Sequence, residues 1–156
     1  MRAVIQRVIK GSVSIGDEIV GCIQQGLVIL LAIKRGDSEV EALWLAHKIA
    51  TLRIFDDDDG RFDHSLLDVG GEALVVSQFT LYGNARRGRR PSFSEAAPPE
   101  LAAPLIDRFC ALLSEQGVRK VSTGRFQARM LVTIHNDGPV TLVLDTDVSR
   151  RGNVKG

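Results

Sequence analysis

The feature that most constrains the fold of this chain is an uninterrupted apolar run from Leu27 to Ile33, LVILLAI. The run follows Gly26 and is dense enough to predict a strand that is buried on both faces. A second apolar segment, Ala73 to Phe79, predicts another buried strand. A chain with such strands must cover both faces of its sheet with other elements.

Turn residues divide the rest of the sequence into further strands. Gly16 and Asp17 supply turn chemistry between Val13–Ile15 and Ile19–Ile23, which predicts a hairpin. The final third predicts strand, loop, strand, turn and strand. These three strands are Lys120–Thr123, Met130–His135 and Val140–Leu144.

Two amphipathic segments predict helices. Ser38 to Glu41 matches a capping box, which predicts a helix from Ser38 to about Leu52. Leu101 to Gln116 repeats apolar residues at helical spacing, and Gly117 stands where a helix C-cap is expected.

These elements predict an α+β fold: a single domain with a largely antiparallel, barrel-like β-sheet core and two packing helices. The length of 156 residues fits one compact domain. Because aromatic residues make up only 5% of the chain, aliphatic side chains must fill the core. Residues 1–144 are predicted to form the domain, and residues 145–156 a basic, flexible tail.

Composition limits the classes of function. The net charge is +1, so a general nucleic-acid coat is not expected, and an RNA partner would have to bind a local patch. The N-terminus has no continuous apolar region of the signal-peptide kind, and Leu27–Ile33 is too short to span a bilayer. Cys22 and Cys110 are far apart in sequence and fit two reduced thiols. We therefore expect a cytoplasmic protein without a membrane or DNA partner.

Standard catalytic motifs are absent from the sequence, which contains no GxSxG, HExxH or GxxxxGK[ST]. His47, His64 and His135 do not lie near one Ser or Cys in sequence, so a triad would have to assemble in space. Asp56 to Gly60 lacks EF-hand spacing and predicts an acidic surface turn. No metal site and no cofactor are expected.

Two polar segments stand out, and the residues alone leave two readings of each. Ser77, Gln78 and Thr80 end an apolar strand, where they either line a pocket or satisfy turn hydrogen bonds. The segment from Asn136 to Thr141, NDGPVT, is good hairpin-turn chemistry. Its Gly-Pro unit also permits a cis bond that would turn carbonyl oxygens to one side, where they would hold an ammonium group.

A basic loop follows the first of these segments. Arg86, Arg87, Arg89 and Arg90 lie close together after residues 77–81. They would place positive charge beside a pocket, as a phosphate-bearing substrate requires, or would form a solvated surface loop.

Taken together, these segments resemble the D-aminoacyl-tRNA deacylase family. The resemblance rests on SQFTL at 77–81, GRRPSF at 88–93, TGRF followed by Met130, and NDGPVT at 136–141. The opening MRAVIQRV also resembles the start of that family, and the similarity runs from Met1 to about Leu144. Four motifs in family order are far more specific than any one of them.

The resemblance implies a homodimer with active sites at the subunit interface. Ser77, Gln78, Phe79 and Thr80 would line the catalytic pocket, and Met130 would flank it. Gly138 and Pro139 of the partner subunit would insert a Gly-cisPro pair that selects chirality. The four arginines of the basic loop would contact the tRNA.

The implied reaction is hydrolysis of the ester of D-aminoacyl-tRNA, and of mischarged glycyl-tRNA, with rejection of L-aminoacyl esters. A rigid pocket around the α-amino group would leave no room for an L-side chain. The N–H groups of Phe79 and Thr80 are expected to hold the oxyanion. Water or the ribose 2′-hydroxyl is preferred over Thr80 as the nucleophile.

Two residues depart from the family pattern. Gln127 stands where a small residue is expected, and Arg129 where an acidic or polar residue would be unremarkable. Two other classes of function remain as alternatives. One is a hydrolase that pairs Ser77 or Cys110 with a histidine. The other is an RNA-binding module without catalysis.

Overall fold

The computed structural model describes residues 1–147, which form a six-stranded mixed sheet, a small two-stranded sheet and two helices. Ten helices and strands are joined by short connections, with one 3₁₀ helix after the sixth strand. In chain order they are β1 (Arg2–Ile15), β2 (Glu18–Ile23), β3 (Gly26–Ala32), α1 (Glu39–Thr51), β4 (Phe55–Asp56), β5 (Phe62–His64), β6 (Glu72–Ser77), the 3₁₀ helix (Phe79–Tyr82), α2 (Pro99–Glu115), β7 (Lys120–Thr123) and β8 (Leu131–Asp145).

The long strand β1 organises the sheet because it pairs with three neighbours. Its first half lies between β3 and β8, and its second half lies between β2 and β8, all antiparallel. On the other side of β3, strands β6 and β7 follow in parallel. The sheet nearly closes, since the Ser122 hydroxyl on β7 donates to the Cys22 carbonyl on β2 at 3.0 Å.

The predicted α+β fold with a barrel-like sheet and two helices is confirmed, but one side of the sheet is parallel. The connections from β3 to β6 and from β6 to β7 pass through α1 and α2 respectively. Parallel neighbours need crossovers of this kind, whereas hairpins join antiparallel ones. Within the six-stranded sheet, antiparallel pairing is therefore confined to β1 and its three partners, and β4 and β5 form a separate antiparallel pair.

Each helix buries one face against the sheet. On α1, Leu45 and Ile49 are fully buried, and on α2 Phe109 and Leu113 are fully buried. They share one core with strand residues such as Ile29. The predicted capping box is present at the start of α1, where the Ser38 N–H donates to the Glu41 carboxylate at 2.7 Å.

The prediction of two strands joined by a hairpin turn over residues 130–144 is wrong. Leu131 to Asp145 form one strand that runs along β1 from Ser14 to Arg2. The register shifts between Gln6 and Lys10, opposite the NDGPVT segment. Long-range pairing with β1 thus overrides the local turn chemistry, and the segment is a bulge within a strand.

The acidic segment is a surface turn, as predicted. The Asp57 carboxylate accepts the N–H groups of Asp59 and Arg61 at 2.9 and 2.8 Å. Within residues 1–147, none of the helices has the length and apolarity that crossing a membrane requires.

The predicted tail begins within the last strand. Asp145 ends β8 and binds Arg2, and Thr146 is buried beside Met1. The rest of the predicted tail, residues 148–156, lies outside the described residues.

Candidate active site

The SQFTL segment leaves the sheet after its first residue. Ser77 ends β6, and the Gln78 N–H still donates to the Leu31 carbonyl on β3 at 2.8 Å. Phe79 to Tyr82 then form the 3₁₀ helix. The prediction of a strand through Phe79 is therefore wrong. The 3₁₀ helix turns the Tyr82 ring inward, where it is 4% exposed and packs beside Ala32.

Two backbone donors at the start of this 3₁₀ helix have no partner within residues 1–147. The Phe79 and Thr80 N–H groups donate no hydrogen bond to any other residue of the described chain, whereas the Leu81 N–H is bonded to the Gln78 carbonyl. The first N–H groups of a helix have no intrahelical acceptor. The Thr80 hydroxyl accepts a hydrogen bond from the Gln78 side chain. Two adjacent free donors are available for a developing negative charge.

A cavity of about 520 Å³ lies beside this 3₁₀ helix. Ser77 and Phe79 form part of its wall, and Met130 forms another part. Gln78 and Thr80 are not among its lining residues. Most of the remaining wall is apolar and comes from the loop before α2, from α2 itself and from residues 126–128. The cavity has the size and the apolar wall of a small-molecule site.

Aromatic side chains shape one side of the cavity. Phe93, from the GRRPSF segment, meets Phe79 edge to face, with ring centroids 5.1 Å apart. Gly83 makes this contact possible, since a Cβ there would lie 3.0 Å from the Phe93 ring. Phe79 nevertheless remains 55% exposed, so its ring is available to a bound molecule.

The segment from TGRF to Met130 forms another side of the cavity. A turn is formed where the Ala128 N–H donates to the Arg125 carbonyl at 3.1 Å. The Met130 sulphur accepts the Arg125 N–H at 3.4 Å and lies over Gly124, where a Cβ would come within 2.5 Å of it. Met130 thus holds this loop against the cavity.

The Gly138–Pro139 peptide is cis, and both residues are exposed. They do not line the cavity of their own chain. The segment is held from both sides: the Asn136 side chain accepts the Val140 N–H at 3.0 Å and donates to the Thr141 hydroxyl at 2.9 Å. Gly138 has φ +120°, a conformation suited to glycine.

Arg7 braces this segment from beneath. Its guanidinium donates to the Asp137 carbonyl at 3.2 Å and to the Ile54 carbonyl at 3.0 Å. It also pairs with the Asp56 carboxylate at 3.1 Å. Arg7 is only 5% exposed, so the bulge rests on a buried, multiply bonded cation.

The arginine loop is closed at its base and exposed at its tip. Asn84 and Ser92 exchange two backbone hydrogen bonds of 2.7 and 2.9 Å. All four predicted arginines are exposed. They are Arg86, Arg87, Arg89 and Arg90. Arg35 is the charged residue that lines the 520 Å³ cavity, and the four loop arginines are not among its lining residues.

Titratable catalytic groups do not come together at this cavity. Its lining includes no His, Asp, Glu or Cys. Cys110 is half-buried on α2, and burial raises the pKa of its thiol to about 12. His47 bonds Gln116 at the helix surface. Among residues 1–147, no three His, Cys, Asp or Glu side chains are grouped so as to hold a metal ion.

A protein-family model matches nearly the whole chain. The model described as D-Tyr-tRNA(Tyr) deacylase matches residues 4–145. The chain belongs to the D-aminoacyl-tRNA deacylase family. The match includes SQFTL, GRRPSF, the Met130 segment and NDGPVT, which are the elements around the cavity and the braced bulge.

Individual members of the deacylase family match this chain along nearly the whole length of both sequences. The chain is 65% identical over 150 residues to the D-aminoacyl-tRNA deacylase of Roseiflexus sp. (strain RS-1), covering 96% of each chain. It is 57% identical to the D-aminoacyl-tRNA deacylase of Fervidobacterium nodosum, covering 94% of this chain and 97% of that one.

Solved structures extend the comparison to the fold. A protein described as the c-Myc DNA Unwinding Element Binding Protein superposes with a TM-score of 0.87 at 38% identity, covering 93% of this chain and 98% of that one. A probable eukaryotic D-amino acid tRNA deacylase superposes with a TM-score of 0.81 at 19% identity, covering 92% and 97%. The second likeness shows the fold alone.

Sequence analysis missed three parts of this candidate site. Arg7 was passed over although it occupies an inward-facing position of β1, beyond Ala3 and Ile5, where a charge signals a buried partner. Phe93 was noted only as part of a motif. The turn at Gln127 gave no local signal, because glutamine is not a turn residue.

Proposed function

We propose that this protein hydrolyses the ester that joins a D-amino acid to the 3′ end of tRNA, accepts glycyl esters, rejects L-aminoacyl esters and works in the cytoplasm. The observation that carries the proposal is the pair of free N–H groups on Phe79 and Thr80 beside an apolar cavity, in a chain of the deacylase family. An aminoacyl ester is already activated, so positioning and oxyanion stabilisation suffice for its hydrolysis.

The proposed chemistry is attack of water on the ester carbonyl, with the neighbouring ribose 2′-hydroxyl assisting by relaying the proton of the water towards the 3′-oxygen. The carbonyl oxygen becomes an oxyanion and accepts hydrogen bonds from the two N–H groups. Collapse then breaks the bond to the 3′-oxygen, which takes a proton as it leaves. Thr80 is hydrogen-bonded to the amide of Gln78, which is not a base, and this supports a role in orientation rather than attack.

We also propose that two subunits complete each site. Within residues 1–147, β8 pairs with β1 alone, which leaves its other edge open. Leu131 and Val143 on this strand are 68% and 65% exposed. A long unpaired edge strand is a surface for pairing with another chain. Exposed Gly138 and Pro139, which do not line their own cavity, are then free to enter the partner's cavity.

Chiral selection follows from that arrangement. The bulge is braced by Arg7 and Asn136, so its backbone oxygens present a rigid surface. A rigid acceptor for the α-ammonium group fixes the Cα substituents and leaves one direction for a side chain. A D-side chain points outward, an L-side chain collides, and glycine has none to exclude.

The test is hydrolysis of matched D-Tyr-tRNA, L-Tyr-tRNA and Gly-tRNA at low enzyme concentration with EDTA present. We expect rapid loss of the D-ester and the glycyl ester and survival of the L-ester. Survival of all three at high enzyme concentration contradicts the proposed activity. Equal loss of D- and L-esters contradicts the chiral selection alone.

A second candidate function is nucleic-acid binding without turnover. The specific observation behind it is the exposed arginine loop, together with a relative of 38% identity that is described as binding a DNA element. The same assay separates the two, with duplex DNA added as competitor. Deacylation that is insensitive to the DNA supports the enzyme, whereas DNA binding without deacylation supports the alternative.

A further inference from the structure

The turn that closes the cavity carries a residue in a conformation that its side chain disfavours. Gln127 has φ +62°, and the described chain has no other non-glycine residue with positive φ. It is the third residue of the turn closed by the Ala128 N–H and the Arg125 carbonyl. Turns with positive φ at this position take Gly or Asn, because a Cβ crowds the backbone there.

No hydrogen bond of the Gln127 side chain within the described residues offsets this backbone cost. The Gln127 side chain makes no hydrogen bond to any residue from 1 to 147, and it is exposed. Glycine would adopt the same backbone more easily. Residues held in sparsely populated conformations cluster at active sites and ligand-binding sites.

The walls of the cavity around Gln127 indicate which kind of ligand group its side chain would meet. Gln127 lines the cavity between Phe126 and Ala128, across a space that Phe79 and Phe93 also border. Aromatic and apolar walls of this kind stack against nucleobases. The carboxamide of glutamine offers one acceptor and one donor side by side, which matches the exocyclic amino group of adenine and the ring nitrogen beside it.

We infer that Gln127 is a specificity-determining residue that hydrogen-bonds the exocyclic amino group of the 3′-terminal adenine of aminoacyl-tRNA. The inference rests on the proposed function, since tRNA substrates end in adenosine. The side-chain oxygen accepts from the amino group, and the side-chain nitrogen donates to the ring. This contact is made equally in the ground state and the transition state, so it acts on KM rather than on kcat.

The first experiment compares wild type with Gln127→Gly. We expect KM for D-Tyr-tRNA to rise about fivefold, kcat to change less than about twofold, and Tm to stay the same or rise. Gln25→Ala is the matched control, because Gln25 is also exposed and lies outside the cavity lining. It should leave KM unchanged. An unchanged KM in Gln127→Gly, or a loss of kcat with a fall in Tm, overturns the inference.

The second experiment tests which atom is recognised. Binding of a stable amide analogue, 3′-deoxy-3′-(D-tyrosylamino)adenosine, is measured by calorimetry beside the same compound with purine in place of adenine. Wild type should bind the purine compound about fivefold more weakly, and Gln127→Gly should bind the two alike. An equal preference for adenine in both proteins overturns the inference.

Failure of the proposed function has a different signature. A wild type that leaves D-Tyr-tRNA intact and binds neither analogue removes the proposed function and this inference together. A wild type that hydrolyses D-Tyr-tRNA while Gln127→Gly behaves identically removes only the role of Gln127.

Discussion

The Arg7 guanidinium lies directly under Gly138: a Cβ on Gly138 would come 3.0 Å from Arg7 Nη2. The same side chain bonds the carbonyls of Asp137 and Ile54 and pairs with Asp56, while being 5% exposed. The conformation of the exposed bulge is therefore set by a buried residue on a different strand.

Arg7→Lys tests this support. Lysine keeps the charge but loses the planar fork that reaches several acceptors at once. We expect the free energy of unfolding to fall by about 1–3 kcal/mol and kcat/KM for D-Tyr-tRNA to fall at least about tenfold. Urea unfolding and deacylation measure the two effects.

The control for Arg7 is Arg53→Lys, since Arg53 forms an exposed pair with Asp63. Exposed pairs stabilise by about 1 kcal/mol or less. Loss of stability in Arg7→Lys without loss of activity would show that the bulge does not need this support.

Thr80→Ala tests the choice of nucleophile. Because the proposed nucleophile is water rather than Thr80, we expect kcat to fall by less than about tenfold, the effect of one lost neutral hydrogen bond. Single-turnover deacylation of D-Tyr-tRNA measures it. A loss of about 10⁴-fold with unchanged substrate binding, together with an active Thr80→Ser, would assign the attack to Thr80.

The arginine loop predicts a salt-dependent KM. Each arginine that contacts a phosphate of the single-stranded end contributes about 0.7 to the slope of log KM against log salt concentration. Arg87→Ala and Arg89→Ala should each lower that slope. Arg61→Ala, at an exposed site outside the cavity lining, should not. Equal slopes in all of these proteins would indicate that the loop does not touch the tRNA.

Glu72 predicts a pH dependence of stability. Its buried carboxylate accepts the Gln24 N–H at 2.9 Å and the Arg119 guanidinium at 2.6 Å. These bonds, the Gln24 bond first, lower the pKa of Glu72 in the folded state. The stabilisation is therefore fully present above the unfolded pKa and is lost as pH falls through the lower folded pKa.

Glu72→Gln measures that contribution. We expect the variant to be less stable than wild type by about 1–2 kcal/mol at pH 7, and the gap to shrink in acid below about pH 4. Urea unfolding across pH gives the difference. A gap that stays constant down to pH 2 would show that the charge of Glu72 does not stabilise the fold.

Cys110 predicts insensitivity to thiol reagents. Burial raises the pKa of its thiol to about 12, so almost none is thiolate near neutral pH. Iodoacetamide at pH 8 should modify exposed Cys22 well before Cys110, and activity should persist, as mass spectrometry and deacylation would record. Inactivation that tracks Cys110 modification would favour the Cys–His hydrolase.

Local signals predicted much of the fold. The helix start at Ser38 and the hairpin at Gly16–Asp17 depend on atoms a few residues apart, so sequence alone locates both. NDGPVT misled because its turn chemistry is local while its pairing with β1 is not. The parallel order of β3, β6 and β7 likewise follows from how the helices cross the sheet.

The residues of the candidate site also divide into those that sequence signals predicted and those that only the folded structure brings together. Ser77, Phe79 and Met130 were predicted together, through the family resemblance, and they line one cavity. The brace from Arg7 joins positions about 130 residues apart, and no spacing rule links them. The backbone of Gln127 is fixed by its turn and by Met130, so its conformation is visible only after folding.

Strand β8 also fixes the spacing between Met130 and Gly138. Met130 at the cavity precedes it directly, and Gly138 lies within it, while Leu131 to His135 pair residue by residue with β1. Deleting one residue between Met130 and Gly138 would exchange the half-buried side chains of Val132 and Ile134 with their exposed neighbours. The number of residues in this stretch is thus as constrained as their identity, and insertions or deletions should be far better tolerated in the arginine loop.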